Sequence, residues 1–212
     1  MRAPTFGKAY AMGAASGLGL VSPARTVQAE GMRGYFAIGV EGISKEMNLG
    51  NLFRSAHAFG ASFVFTVNAA YGRSDAKSDT SDTPDQVPLY QFADAASLEL
   101  PRGCRLVGAE LLDEAEDLPS FRHPRCAAYV LGPERNSLSP GMVARCDYLV
   151  RIPTRFCLNV ATAGAVVMYD RLTSLGRFAR RPLTPGGEPE PFPEHVFGAP
   201  KRRRVGGSAR GG

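Results

Sequence analysis

Residues 35–67 read YFAIGVEGISKEMNLGNLFRSAHAFGASFVFTV, and the apolar pattern changes period twice along them. Tyr35–Val40 is a short apolar run, read as a strand. Across Leu49–Phe59 the apolar residues recur at helical spacing, and Gly60 supplies a stop. Ser62–Val67 is a second strand. Downstream the alternation continues, with strands expected at Arg105–Leu111, Ala127–Leu131 and Tyr148–Ile152 and a long helix at Leu158–Leu175. Short apolar runs alternating with helical segments point to an α/β domain built on a mainly parallel sheet flanked by helices. The polar stretch Gly72–Gln86 reads as a loop.

Outside this block the composition changes. Residues 1–31 are rich in Gly, Ala and Ser and poor in acids, with Arg2, Lys8 and Arg25 scattered through them. They suit a flexible tail or a transit-type presequence. Residues 179–212 are dense in Pro and Gly and contain the basic run Lys201–Arg204, so they are expected to be a disordered tail that touches RNA or simply adds solubility. The folded domain is therefore expected at 32–178. The net charge of +5 comes entirely from the ends, because residues 32–176 hold 14 basic and 16 acidic residues. A polyanion-binding patch on the domain would have to arise from clustering. No apolar run approaches the roughly 20 residues needed to cross a bilayer. Cys104, Cys126, Cys146 and Cys157 are widely spaced and form no C-x-x-C pair, which argues against a zinc site and for reduced thiols in a cytoplasmic protein.

Three segments sit at strand-to-loop or loop-to-helix junctions, where open α/β sheets place their ligands. In Asn48–Ala56 (NLGNLFRSA), Asn48 stands near a helix start as a cap, and Arg54 points off that helix, either gripping a phosphate or lying free in solvent. In Gly132–Ser139 (GPERNSLS), a Gly-Pro turn sets the carboxylate of Glu134 just beyond a strand end. In Arg151–Val160 (RIPTRFCLNV), a strand ends, a rigid proline turn follows, and Asn159 opens a helix faced with Ala161, Ala163, Gly164 and Ala165. His57, one turn beyond Arg54, is a base or a surface histidine; His123 and His195 lie in loop and tail contexts. No G-x-G-x-x-G follows the first strand, which counts against a dinucleotide-binding oxidoreductase.

In this order and spacing, the three segments resemble the motifs of the SpoU (TrmH-like) family of RNA 2′-O-ribose methyltransferases in the SPOUT superfamily. Asn48–Ala56 matches N-x-G-x-x-x-R-[ST]-A in full. Gly132–Ser139 matches G-x-E-x-x-G-L-S except that Ser137 replaces a glycine. The third motif, I-P followed by S-x-N and a helix ending in Tyr-Glu, becomes Ile152-Pro153, Cys157-Leu158-Asn159 and Tyr169-Asp170. The likeness covers roughly Tyr35 to Arg177.

The resemblance implies a SPOUT-type sheet with a C-terminal trefoil knot, an exception to the rule against knotted chains. It implies S-adenosyl-L-methionine held by the backbone of three loops, through Ala109, Gly132, Ile152, Cys157 and Leu158. Arg54 would be the key catalytic residue, with Asn48, Glu134 and Asn159 in support and no metal. It further implies a homodimer in which the small-faced terminal helix packs at the subunit contact. The compact domain favours tRNA over rRNA as substrate. The competing expectation is a catalytically silent RNA-binding protein, if Cys157 and Ser137 weaken cofactor binding.

Overall fold

The computed structural model describes residues 34–69, 87–133, 136–176 and 178–189. The chain divides into two units, Met1–Glu30 and Gly31–Gly212, and every described residue belongs to the second. The expected N-terminal tail, the loop at 72–86 and the basic run Lys201–Arg204 lie outside the described residues.

The strands are β1 (Tyr35–Glu41), β2 (Phe63–Val67), β3 (Leu89–Phe92), β4 (Arg105–Ala109), β5 (Glu116–Asp117), β6 (Cys126–Leu131) and β7 (Tyr148–Arg151). The helices are α1 (Glu46–Phe59), α2 (Pro140–Arg145) and α3 (Val160–Leu175), with a 3-10 turn at Leu118–Ser120. All seven strands form one sheet in the order β3-β2-β1-β6-β4-β7-β5, and every pairing is parallel. The strand C-termini therefore share one edge, which is where the three motif loops emerge.

Both faces of the sheet are covered, as a parallel sheet requires. On one face Phe36, Ile38 and Val40 of β1 pack with Leu49, Leu52 and Phe53 of α1 and with Val167 and Met168 of α3. On the other, Ala37 and Phe65 join Ala128, Val130, Leu138 and Met142. The period-2 alternation along β1 thus feeds two cores. Among the described residues no helix is long and apolar enough to cross a membrane.

Several boundaries depart from the sequence reading. Helix α1 begins at Glu46 with Lys45 as its cap, so Asn48 is not the cap but a first-turn residue whose side chain is turned inward. Glu46 supplies the acidic residue that a helix N-terminus favours. Gly60 does end α1, in the left-handed region at φ 75°, with its N–H on the carbonyls of Ala56 and His57. Strand β4 stops at Ala109 instead of Leu111, because the Leu111 N–H turns to the carboxylate of Glu110. Strands β3 and β5 and helix α2 were not anticipated. The first two are short and partly exposed, so no apolar run marks them. Helix α2 had a local signal in Ser139-Pro140, a capping serine followed by a proline at the first helical position.

The far end of α3 is anchored by a charge. Arg171 is 1% exposed. Its guanidinium donates to the carbonyls of Pro124 (2.5 Å) and Arg125 (2.7 Å) and to the Tyr129 hydroxyl (3.1 Å). It also lies over the Phe36 ring, 5.3 Å from the centroid. Beside it His123 bridges Tyr129 (2.6 Å) and Asp170 (2.8 Å). A buried cation is tolerated only with such partners. Burial holds the His123 imidazole below its ordinary range against the opposing pull of Asp170, and pushes the Tyr129 hydroxyl up to about 12. This network fixes α3 to the N-terminal edge of the sheet, at the opposite end from the motif loops.

Candidate active site

The C-terminal ends of β4, β6 and β7 open into one pocket of about 250 Å³. Ala109, Glu110 and Leu111 enter from β4; Leu131, Gly132 and Pro133 from β6, with Asn136 and Ser137 beyond them; Ile152, Thr154, Cys157 and Leu158 follow β7. Val160 and Ala163 of α3 close the base. All five residues expected from the sequence to contact a cofactor line this one cavity. Glu110, Thr154 and Asn136 add polar groups that the motif reading did not single out.

The loops are tied to one another by hydrogen bonds that bring sequence-distant segments together. Glu110 accepts from its neighbour Leu111 N–H and from Leu138 N–H, each at 2.9 Å, which links the β4 loop to the β6 loop. The approach is so close that a Cβ on Gly132 would stand 2.7 Å from the Glu110 Oε2. Glu41, at the end of β1, is 7% exposed and accepts from both the N–H (2.8 Å) and the hydroxyl (2.6 Å) of Ser139. The same hydroxyl accepts from Met142 N–H and caps α2. In the third loop, Thr154 donates its N–H to Ile152 (2.8 Å) and its hydroxyl to Phe156 (2.9 Å), folding the turn upon itself and leaving Cys157 exposed.

The expected catalytic set separates into three situations. Asn159 caps α3 by accepting from Ala161 and Thr162, and its side-chain amide donates to the Oδ1 of buried Asn48 at 3.0 Å. Arg54 is exposed on α1, on a different face from Asn48, and does not line the pocket. Glu134 lies outside the described residues. The small-residue face of α3 packs closely within the chain. Gly164 faces inward, where a Cβ would meet Leu52 at 2.6 Å and Leu131 at 3.2 Å, and Ala161 is buried. These two residues let α3 approach α1 and the sheet within the same chain, while Ala163 and Ala165 of the same helix are half-buried.

Residues 35–169 match the SpoU rRNA Methylase family. The chain belongs to the SpoU family. The match runs from the first residue of β1 into α3 and so contains every loop of the pocket. Among relatives, the mouse tRNA (guanosine(18)-2'-O)-methyltransferase TARBP1 is 28% identical over 138 residues, which are 60% of this chain and 9% of the mouse protein. The AdoMet-bound rRNA methyltransferase from Sinorhizobium meliloti superposes with a TM-score of 0.61 at 20% identity, covering 67% of this chain and 57% of that one. A structure described as giving insights into the 2-OH methylation of C/U34 on tRNA superposes at 0.59 and 24% identity, covering 67% of this chain and 97% of that one. The SpoU-family chain thus spans less than two thirds of the first two of these relatives, and likeness at these identities establishes a common fold.

Proposed function

We propose that this SpoU-family chain is an S-adenosylmethionine-dependent RNA methyltransferase that modifies a ribose 2′-hydroxyl, with tRNA as its substrate. The observation that carries this reading is the convergence of three loops, from the ends of β4, β6 and β7, on one pocket, the latter two carrying the second and third motifs. The residues fit the cofactor. Leu131, Ile152, Leu158 and Ala163 offer an apolar bed for a flat base, and Glu110, Thr154 and Asn136 offer polar groups at its margin. When bound, S-adenosylmethionine supplies an electrophilic methyl on a sulfonium sulfur.

The protein's own tasks are then alignment and help with the departing hydroxyl proton. Arg54 carries a guanidinium, which offers only N–H donors and no acceptor; its planar fork suits a backbone phosphate and so orients the ribose. Asn48 and Asn159 hold α1 against the third loop. Glu134 is retained as a supporting residue of the site. The reading includes the C-terminal trefoil knot, supported by the insertion of β7 between β4 and β5, both of which precede it in the chain. It also includes a homodimer, favoured by the exposed Met47, Phe156 and Tyr169 near the motif segments, and a reducing, cytoplasmic setting in keeping with four free cysteines. Sedimentation velocity tests the dimer.

The deciding experiment is transfer of tritiated methyl groups to total tRNA and to rRNA by wild type and Arg54→Ala, with cofactor affinity measured by calorimetry. Methylation of tRNA by wild type, reduced at least a hundredfold in the variant at unchanged cofactor affinity, is expected. Methylation of rRNA alone would move the substrate. Absence of both cofactor binding and transfer would favour the silent RNA-binding alternative.

A further inference from the structure

Residues 32–176, with 14 basic and 16 acidic residues, carry a net charge of −2, but the fold sorts that charge by position. Because every strand is parallel, the segments that lead into the strands meet at one edge of the sheet, opposite the pocket. Strands β6 and β4 are neighbours there, with Arg105 beside Ala127. Arg102 and Arg105 lead into β4, Arg122 and Arg125 lead into β6, and all four are exposed. Continued outward, the same register sets Arg125 beside the turn that carries Arg102, at the roughly 4.8 Å spacing of paired strands. Arg105 donates to Asp147 at 2.7 Å and its side chain is still 58% exposed, so part of its donor fork stays open. Helix α3 ends at this edge as well, and the exposed Arg180 and Arg181 follow it.

The backbone that presents Arg122 and Arg125 is pinned from within. Buried Arg171 takes the carbonyls of Pro124 and Arg125, and His123, between the two arginines, is held by Tyr129 and Asp170. This network lies far from the methyl-transfer site: the six residues of β6, at about 3.3 Å each, put roughly 20 Å between the two ends of the strand. What it produces is a fixed loop with exposed cations on it. Cations held in place bind an anion without first having to be ordered. Several guanidinium forks along one edge suit a chain of phosphates, which repeats the group that each fork grips.

We infer that this edge is a second RNA-binding surface, on which Arg102, Arg105, Arg122 and Arg125 hold backbone phosphates of the RNA that flanks the target nucleotide. The inference rests on the RNA-methylating reading and extends it: the edge supplies affinity for the body of the RNA and takes no part in methyl transfer. A stacked strand rising about 3.4 Å per nucleotide covers the distance from pocket to edge in roughly six nucleotides. Phosphate contacts carry no sequence information, so the choice of nucleotide stays with groups at the pocket.

The test uses the full chain and total tRNA. Wild type is compared with two triple variants, Arg102→Ala/Arg122→Ala/Arg125→Ala and Arg102→Lys/Arg122→Lys/Arg125→Lys; Arg105 is kept because Asp147 depends on it. In the alanine variant KM for RNA should rise about tenfold or more at roughly 0.1 M salt. The slope of log affinity against log salt should flatten by about 0.7 per arginine removed. Values of kcat at saturating RNA, cofactor affinity by calorimetry and the thermal midpoint should match wild type, since none of the three residues lines the pocket. The lysine variant keeps the charges and should keep the salt slope. Ultraviolet cross-links from RNA bound to wild type should map to residues 101–105 and 122–125 as well as to the motif loops. Wild-type KM and slope in the alanine variant would overturn the inference and leave the methyltransferase reading intact. So would equal losses in both variants with a lowered thermal midpoint, or wild-type cross-links confined to the motif loops. A wild-type protein that neither binds nor methylates RNA would overturn both.

Discussion

The side-chain amide of Asn159 donates a hydrogen bond of 3.0 Å to Oδ1 of Asn48, joining residues 111 positions apart. One sits in the first turn of α1, the other caps α3, and the contact sets both helices relative to the third loop of the pocket. Two asparagines from two separate motifs thus act as one structural unit. Their shared role is to position the loop, whatever else either contributes.

Asn159→Ala removes a helix cap, worth about 1 kcal/mol, and one partner of buried Asn48, worth about 1 kcal/mol more. Asn48→Ala removes the partner alone. Urea unfolding of both single variants and the double variant should give a coupling energy of about 0.5–1.5 kcal/mol. Additive losses would mean that the contact contributes nothing to stability.

Gly132→Ala places a Cβ 2.7 Å from the Glu110 Oε2 and 3.2 Å from the Leu138 nitrogen. Glu110 must then move and release Leu138, which separates the β4 and β6 loops. Calorimetry should show cofactor affinity reduced at least tenfold, with a smaller effect on the thermal midpoint, because the change is confined to the pocket rim. Affinity equal to wild type would show that the loops tolerate separation.

The pH dependence of stability should carry the signature of His123. Burial depresses its folded-state pKa, so the unfolded chain takes up the proton first as pH falls. Its contribution is therefore fully present above the unfolded value of about 6.5 and is lost as pH drops from there through the folded value, with a slope of at most about 1.4 kcal/mol per pH unit. Chemical denaturation between pH 7.5 and 5 should show this decline in wild type and a flatter profile in His123→Gln. Equal slopes would assign the acid sensitivity to other groups.

Gly164→Ala would drive a methyl against Leu52, Leu131 and Ile38 at 2.6, 3.2 and 3.4 Å. Overpacking of this kind costs about 1–3 kcal/mol. The measurement is the denaturation midpoint, together with the oligomeric state. If the variant keeps its stability but loses self-association, the small face belongs to a subunit contact after all.

The architecture of the domain was legible because its strands are carried by local pattern. Tyr35–Glu41 and Cys126–Leu131 are nearly continuous apolar runs, which only a strand covered on both faces can bury. The pocket was legible for a related reason: motif residues such as Gly132 and Ile152 directly follow strands, and parallel pairing puts all those strand ends on one edge.

Other features had no local signal. Strand β5 is two residues long and exists because β7 supplies its hydrogen bonds. The inward turn of Asn48 depends on Asn159, and the burial of Arg171 depends on carbonyls of Pro124 and Arg125 that reach it only once β6 and α3 have packed. By itself the sequence determined the period of each main element, the order of the motifs and the family they mark, since these are set by neighbouring residues. Tertiary structure alone decided which polar side chains pair and which small residues face inward, because those energies arise between groups that the chain brings together only on folding.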